Sequence, residues 1–158
     1  MDAATLLHAH CATPRGGDAL HLPDWTLGDW QALLAHAEIV RVDRGDALVR
    51  QGEQERAVYF VIDGALEASP STGRGDTLGP VLRELPGSMF GEVSLFDGLP
   101  RSASVWAIQP TTLLRITHDG VQAFSRQQPA LANALLWAMG RVLAGRLRQG
   151  EARQRHQA

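Results

Sequence analysis

The chain has no lysine: all 15 of its basic residues are arginines. That excludes the phosphate-loop motif of nucleoside triphosphatases, which needs a lysine to reach the terminal phosphates. It has one cysteine, Cys11, which excludes an internal disulfide and a cysteine-ligated iron–sulfur cluster within one chain. No run approaches the roughly 18 consecutive apolar residues of a membrane-spanning helix. The opening residues, MDAATLLHAHCA, have neither an early basic region nor a long apolar stretch, so they do not read as a signal peptide. A cytoplasmic location without membrane contact is the resulting expectation. Catalytic signatures are missing too, since no nucleophile elbow accompanies an ordered Ser, Asp and His. His8, His10 and Cys11 lie close together, but only His21 is nearby as a further ligand, and a closed zinc site takes four. They read as exposed or packing side chains. The chain is therefore expected to be no enzyme and to hold no metal or resident cofactor.

What is present suits one domain. At 158 residues and 17.1 kDa the chain can bury a real core, and 44% hydrophobic with 20% charged residues is ordinary for a globular protein. Charge is spread unevenly. Five arginines against Glu151 put +4 on residues 141–158 and leave −6 on the rest of a chain whose net charge is −2. Such an end reads first as a solvated helix terminus, and second as a contact for nucleic acid or an acidic partner.

Taken in order, residues 1–23 read as an N-terminal extension, with TLLHAHCA as a short helix stopped by Pro14, Gly16 and Gly17. Thr26 followed by Asp29 predicts a capped helix start, and Trp30, Leu33, Leu34 and Ala37 form its apolar face. Trp25 and Trp30 are expected to pack as a lid on a sheet. From residue 38 to 117 the hydrophobic period becomes two. EIVRVD, ALVRQ, AVYFVID, ALEAS, PVLRE, SVWAI and TLLRIT are short runs separated by turn residues, which predicts seven or eight strands in an antiparallel sandwich or barrel. AVYFVID is apolar on both alternating sets and reads as a strand covered on both faces. Residues 69–80, SPSTGRGDTLGP, read as a polar hairpin tip.

Asp119 is placed to cap a short helix, GVQAFSRQQ, and Pro129 starts the next, expected over residues 130–149. The apolar residues of that last helix fall on two lines: Leu131, Leu135, Ala138 and Val142; and Leu136, Met139, Leu143 and Leu147. A helix apolar over so wide an arc needs two partners. One is the β structure; the other is expected to be the same helix of a second subunit, in a homodimer. Close helix–helix approach would offset Gly140 and Gly145, each costing about 1 kcal/mol relative to Ala.

Residues 87–107, GSMFGEVSLFDGLPRSASVWA, carry the chemistry. Gly91 removes a Cβ so that backbone can approach a ligand closely. The stretch from Glu92 to Phe96 suits one or two helical turns, whose free N–H groups would face a phosphate. Arg101 is a permanently charged, forked donor that matches phosphate oxygens. Glu92 would repel a phosphate, so its partner is a donor such as a sugar hydroxyl. The alternative for Arg101 is a salt bridge to Glu92 that only tightens an empty pocket.

The block FGE-V-S-L-F-(x)4-R-S-A-x-V-x-A closely resembles the phosphate-binding cassette of cyclic-nucleotide-binding domains, the family of the bacterial catabolite activator. RGDALVRQGEQERAVYFVIDGALEA resembles that family's β-roll, with Gly45, Leu48, Gly52, Tyr59 and Gly64 at turning or filling positions. The resemblance runs from about Leu27 to Arg148. It implies a mainly β protein: an antiparallel β-roll or jelly-roll over about 38–117, flanked by a short N-terminal and a long C-terminal helix. The binding domain would span residues 24–149, with 150–158 a basic tail.

The resemblance also implies ligand contacts at Gly91, Glu92, Val93, Arg101, Ser102 and Ala103, with Glu92 on the ribose 2′-hydroxyl and Arg101 and Ser102 on the phosphate. The base-reading half departs from the pattern. Where the catabolite activator offers two adjacent hydroxyl residues, this chain has Arg146 and Leu147, and no Ser or Thr follows Arg126. Trp137, Arg141 and Arg146 become the candidate base contacts, with guanidinium groups suited to the O6/N7 edge of guanine. Cyclic AMP is the family's first expectation, cyclic GMP the second, and a dimer holding cyclic di-GMP the third. The family's transcription factors continue into a helix-turn-helix, whereas Gly150–Ala158 cannot form a recognition helix, so no sequence-specific DNA binding is expected. The expected role is a non-enzymatic cyclic-nucleotide sensor acting through a partner protein. The alternative is a ligand-independent interaction domain built on the C-terminal helix.

Overall fold

AVYFVID forms β3 (Ala57–Asp63), buried at every position except the last. Its alternate side chains enter two different cores. Val58, Phe60 and Ile62 join a cluster shared with the helices, while Tyr59 and Val61 join a cluster that also holds Leu66, Phe90, Val105 and Leu113. Both faces are covered, as the sequence pattern predicts. The structure, a computed structural model, describes residues 1–13, 19–70 and 82–157.

Around β3 lie two four-stranded antiparallel sheets. β1 (Glu38–Val42), β8 (Thr111–Thr117), β3 and β6 (Met89–Phe90) form one in that order; β2 (Ala47–Val49), β7 (Ala103–Ala107), β4 (Leu66–Pro70) and β5 (Leu82–Glu84) form the other. The inner faces meet in the Tyr59 cluster. Among the described residues, eight strands in two antiparallel sheets, flanked by helices, make the fold mainly β, as expected. Residues 71–80 of the expected hairpin tip lie outside the described residues.

Helices cover the outer face of the β3 sheet. α1 (Ala3–Ala12) starts where Asp2 accepts a hydrogen bond from Thr5 N. Its Ala4, Leu7 and Cys11 belong to the same core as β3, and Leu20 N donates to Gly87 O just before the cassette. α2 (Leu27–Leu34) opens with both halves of the capping box: Asp29 N donates to Thr26 Oγ1, and Thr26 N to Asp29 Oδ2. Trp25 and Trp30 meet edge to face at 4.8 Å over the sheet.

α4 (His118–Gln127) corrects the expected cap. Thr117, extended at φ −79°, accepts from Gly120 N, and Asp119 lies inside the first turn, where its charge suits the helix N-terminus. The helix starts two residues early because the last β8 residue already has the backbone an N-cap requires. α5 (Pro129–Gln157) is longer than expected and carries the basic stretch along with it. Of its two apolar lines, Leu135, Ala138 and Val142 of the first and Met139 of the second are buried, whereas Leu136 and Leu147 stay exposed. A Cβ at Gly140 or Gly145 would meet nothing within 4 Å in this chain, so neither glycine serves close packing inside it.

Cys11 sits fully buried in the α1 core, and burial pushes its thiol up to about 12. Only the thiolate is nucleophilic. Native protein at pH 8 is therefore expected to leave a chromogenic disulfide reagent unreacted for hours, with one equivalent released promptly in denaturant. Prompt reaction of the native protein would show that α1 opens readily.

Candidate functional site

Six residues form the helix α3 (Glu92–Asp97), entered through Gly91 in the left-handed conformation at φ 82°. Gly91 is required twice over. An L side chain there is strained by about 1–2 kcal/mol, and its Cβ would come 2.5 Å from Arg101 Nη1 and 3.0 Å from the Ala57 carbonyl oxygen. Arg56 holds the far end of α3, with Nε donating to Leu95 O at 2.8 Å.

Arg101 arrives just before β7. Its backbone is tied to the turn after β2: Arg101 N donates to Glu53 O, and Gly52 N to Arg101 O. The residue is 3% exposed. Nη1 donates to Gly91 O at 3.0 Å, Nη2 to Glu55 Oε2 at 2.9 Å, and Nε–H is buried without a partner among the described residues. The guanidinium carbon lies 5.8 Å from the Tyr59 ring centroid, and that ring stacks on Phe90 at 4.9 Å.

Glu55 is the residue that sequence reasoning missed on this side. It accepts from Tyr59 Oη at 2.7 Å, Arg115 Nε at 2.9 Å and Arg101 Nη2, and Arg115 continues to Glu38 at 2.7 Å. Burial pushes the Glu55 carboxyl up, but the hydrogen bonds from Tyr59, Arg101 and Arg115 outweigh it and hold the group below its ordinary value. Burial, reinforced by the Glu55 carboxylate, pushes the Tyr59 phenol up to about 12. Nothing in the order of residues signals Glu55, because its cationic partners lie 46 and 60 positions away.

Glu92 is 5% exposed and does not meet Arg101. The Arg101–Glu92 pairing weighed above is replaced by two others: Arg101 on Glu55, and Arg146 of α5 on Glu92 through Nη1 at 2.7 Å. The fork of Arg146 also reaches Met89 O at 2.6 Å and Glu84 Oε2 at 3.3 Å. Glu84, at the end of β5 and 4% exposed, is a second site residue that the sequence did not signal.

A cavity of about 160 Å³ brings together Gly91, Glu92, Val93, Arg101, Ser102 and Ala103, with Glu84 and Arg146 on its wall. Trp137 and Arg141 are not part of it. They line a separate groove of about 810 Å³ between α5 and residues 21–25, where Trp137 is 75% exposed. The direction of α5 explains this: residues 137 and 141 lie on an arc turned away from the sheets, while Arg146 reaches over β6. Among the described residues, no group of three or more His, Cys, Asp or Glu is placed to hold a metal, and no helix is long and apolar enough to cross a membrane.

Chemically, the cavity offers a buried permanent cation with a spare N–H donor beside a carboxylate that only accepts. The chain belongs to the cyclic nucleotide-binding domain family, whose sequence model matches residues 39–128. It is 32% identical over 108 residues to the cyclic AMP receptor protein of Thermus thermophilus, covering 68% of this chain and 48% of that one. It is 29% identical over 119 residues to the CRP-like cAMP-activated global transcriptional regulator of Mycobacterium tuberculosis, covering 75% of this chain and 50% of that protein. The chain thus spans about half the length of these relatives. The crystal structure of a cyclic nucleotide-binding domain from Methylobacillus flagellatus superposes with a TM-score of 0.79 at 19% identity, over 99% of this chain and 82% of that one, and so shares the fold.

Proposed function

We propose that this chain is a non-catalytic sensor that binds a cyclic nucleotide at the Gly91–Arg101 cavity and signals through a partner protein. The observation that carries the reading is Arg101: a cation 3% exposed, with an unpartnered Nε–H, in one cavity with Glu92. A buried donor without an acceptor costs free energy unless something supplies one, and a cyclic phosphate does. Glu92 takes the ribose hydroxyl, and Gly91, Val93, Ser102 and Ala103 close the grip around the phosphodiester. No metal or cofactor enters this reading.

Cyclic AMP is the first ligand, in keeping with the two regulators named for it; cyclic GMP is the second. Trp137 and Arg141 line the other groove, which supports leaving them out of base recognition within one chain. The exposed Leu136, Trp137 and Leu147 on α5 favour pairing of two copies along that helix, with cyclic di-GMP as the ligand a dimer could share. A cytoplasmic site of action goes with this role. Calorimetric titration with cyclic AMP, cyclic GMP and cyclic di-GMP tests it. At least one is expected to bind more tightly than about 1 mM, a free energy beyond roughly −4 kcal/mol. Failure of all three at that level removes the sensor reading and leaves an interaction domain.

A further inference from the structure

We infer that Arg146 is a built-in competitor for the cavity, a latch on α5 that the nucleotide must displace; this rests on the sensor reading above. Two facts on the cavity wall lead there. Glu92, the carboxylate assigned to the sugar hydroxyl, already accepts from Arg146 Nη1 at 2.7 Å. The free volume, about 160 Å³, is well under the roughly 300 Å³ at which small-molecule pockets begin. The phosphate end of the site is formed, while the sugar end is filled by the protein's own guanidinium.

The latch is anchored by more than Glu92. Arg146 Nη2 donates to Met89 O at 2.6 Å and reaches Glu84 at 3.3 Å, so one side chain ties α5 to β6 and to the end of β5. Glu84 and Glu92 are both nearly buried, and two carboxylates so placed favour a shared cation strongly. Arg146 also sits where α5 is held least by packing. Among the described residues, Val142 is the last buried side chain of α5, and Gly145, next to Arg146, lowers helix propensity. A hydroxyl arriving at Glu92 moves the guanidinium off one acceptor and loosens the segment of α5 beyond Val142. The ligand then acts by its differential affinity for the unlatched state.

Calorimetry with cyclic AMP and cyclic GMP on the full chain, Arg146→Gln and the charge-balanced Glu84→Gln/Arg146→Gln tests the latch. Removing the competitor is expected to tighten binding about tenfold, within the usual span of coupling between sites. Hydrogen exchange beyond residue 142 should rise on adding nucleotide to the native chain and be high already in ligand-free Arg146→Gln. Circular dichroism checks each fold; if Arg146→Gln unfolds, the double variant, which keeps the net charge of the Glu84/Glu92/Arg146 cluster unchanged, decides. Unchanged or weaker binding in the folded variants overturns the latch, and weaker binding makes Arg146 a ligand contact. The sensor reading survives that result as long as the native chain binds and Arg101→Ala does not. If no form of the protein binds either nucleotide, latch and sensor fall together.

Discussion

Arg101→Ala is expected to abolish measurable cyclic-nucleotide binding. A hydrogen-bonded cation–phosphate contact in a buried site is worth about 2–4 kcal/mol, a loss of roughly 30-fold to 1,000-fold. The fold should survive the change. Arg101 shares Glu55 with Arg115 and Tyr59, so the carboxylate keeps two partners after the guanidinium has gone. Arg101→Lys keeps the charge but not the fork and should fall between the two. The measurement is calorimetric Kd for each variant beside its thermal melt. Unchanged affinity in a folded Arg101→Ala protein would move the phosphate grip elsewhere.

Glu55→Ala carries the second large effect, on stability. Glu55 is the direct counter-ion of Arg101, whose side chain is 2% exposed, and it is itself only 22% exposed. Deleting one member of a buried ion pair strands the other, and with partial exposure discounted the loss is about 2–3 kcal/mol. The pH dependence has a definite sign. The carboxyl is held below its ordinary value of 4.5 in the folded chain, so its stabilisation is complete above that pH and is lost as pH falls through the lower folded value. Urea unfolding at pH 7 should therefore separate the native chain from Glu55→Gln widely, and the gap should narrow near pH 3. A gap that stayed constant with pH would mean that Glu55 acts through packing and not through charge.

Both predictions concern a residue pair of which only one half was visible in advance. Arg101 announces itself because its neighbours do: Gly91 and Glu92 precede it at fixed spacing, and Ser102-Ala103 follow within one turn-and-strand unit. Local chemistry of that kind is written in sequence. Glu55 and Glu84 are not, since each acquires its role from a cation more than 40 residues away. The Thr26 cap was legible for the same local reason, and the Thr117 cap was misread by two positions because Asp119 is an equally good capping residue. Which of the two starts the helix depended on where β8 ended.

The same division holds for the last helix. Its breadth of apolar residues showed that it needs more than one partner, but periodicity alone could not rank the two lines. Packing against β3 and α4 buried Leu135, Ala138 and Val142, together with Met139 of the second line, and left Leu136 and Leu147 outside. By itself, then, the sequence determined the alternation that makes a double antiparallel sheet, the turn at Gly91, and the cation and carboxylate of the site. These depend on neighbours within a few residues, where steric limits and hydrogen-bond reach act directly. Tertiary structure alone decided the pairings: Arg101 with Glu55, Arg146 with Glu92 and Glu84, and Trp137 and Arg141 in another groove. A charge buried by folding takes the nearest counter-charge in space, and only the folded chain defines which one that is.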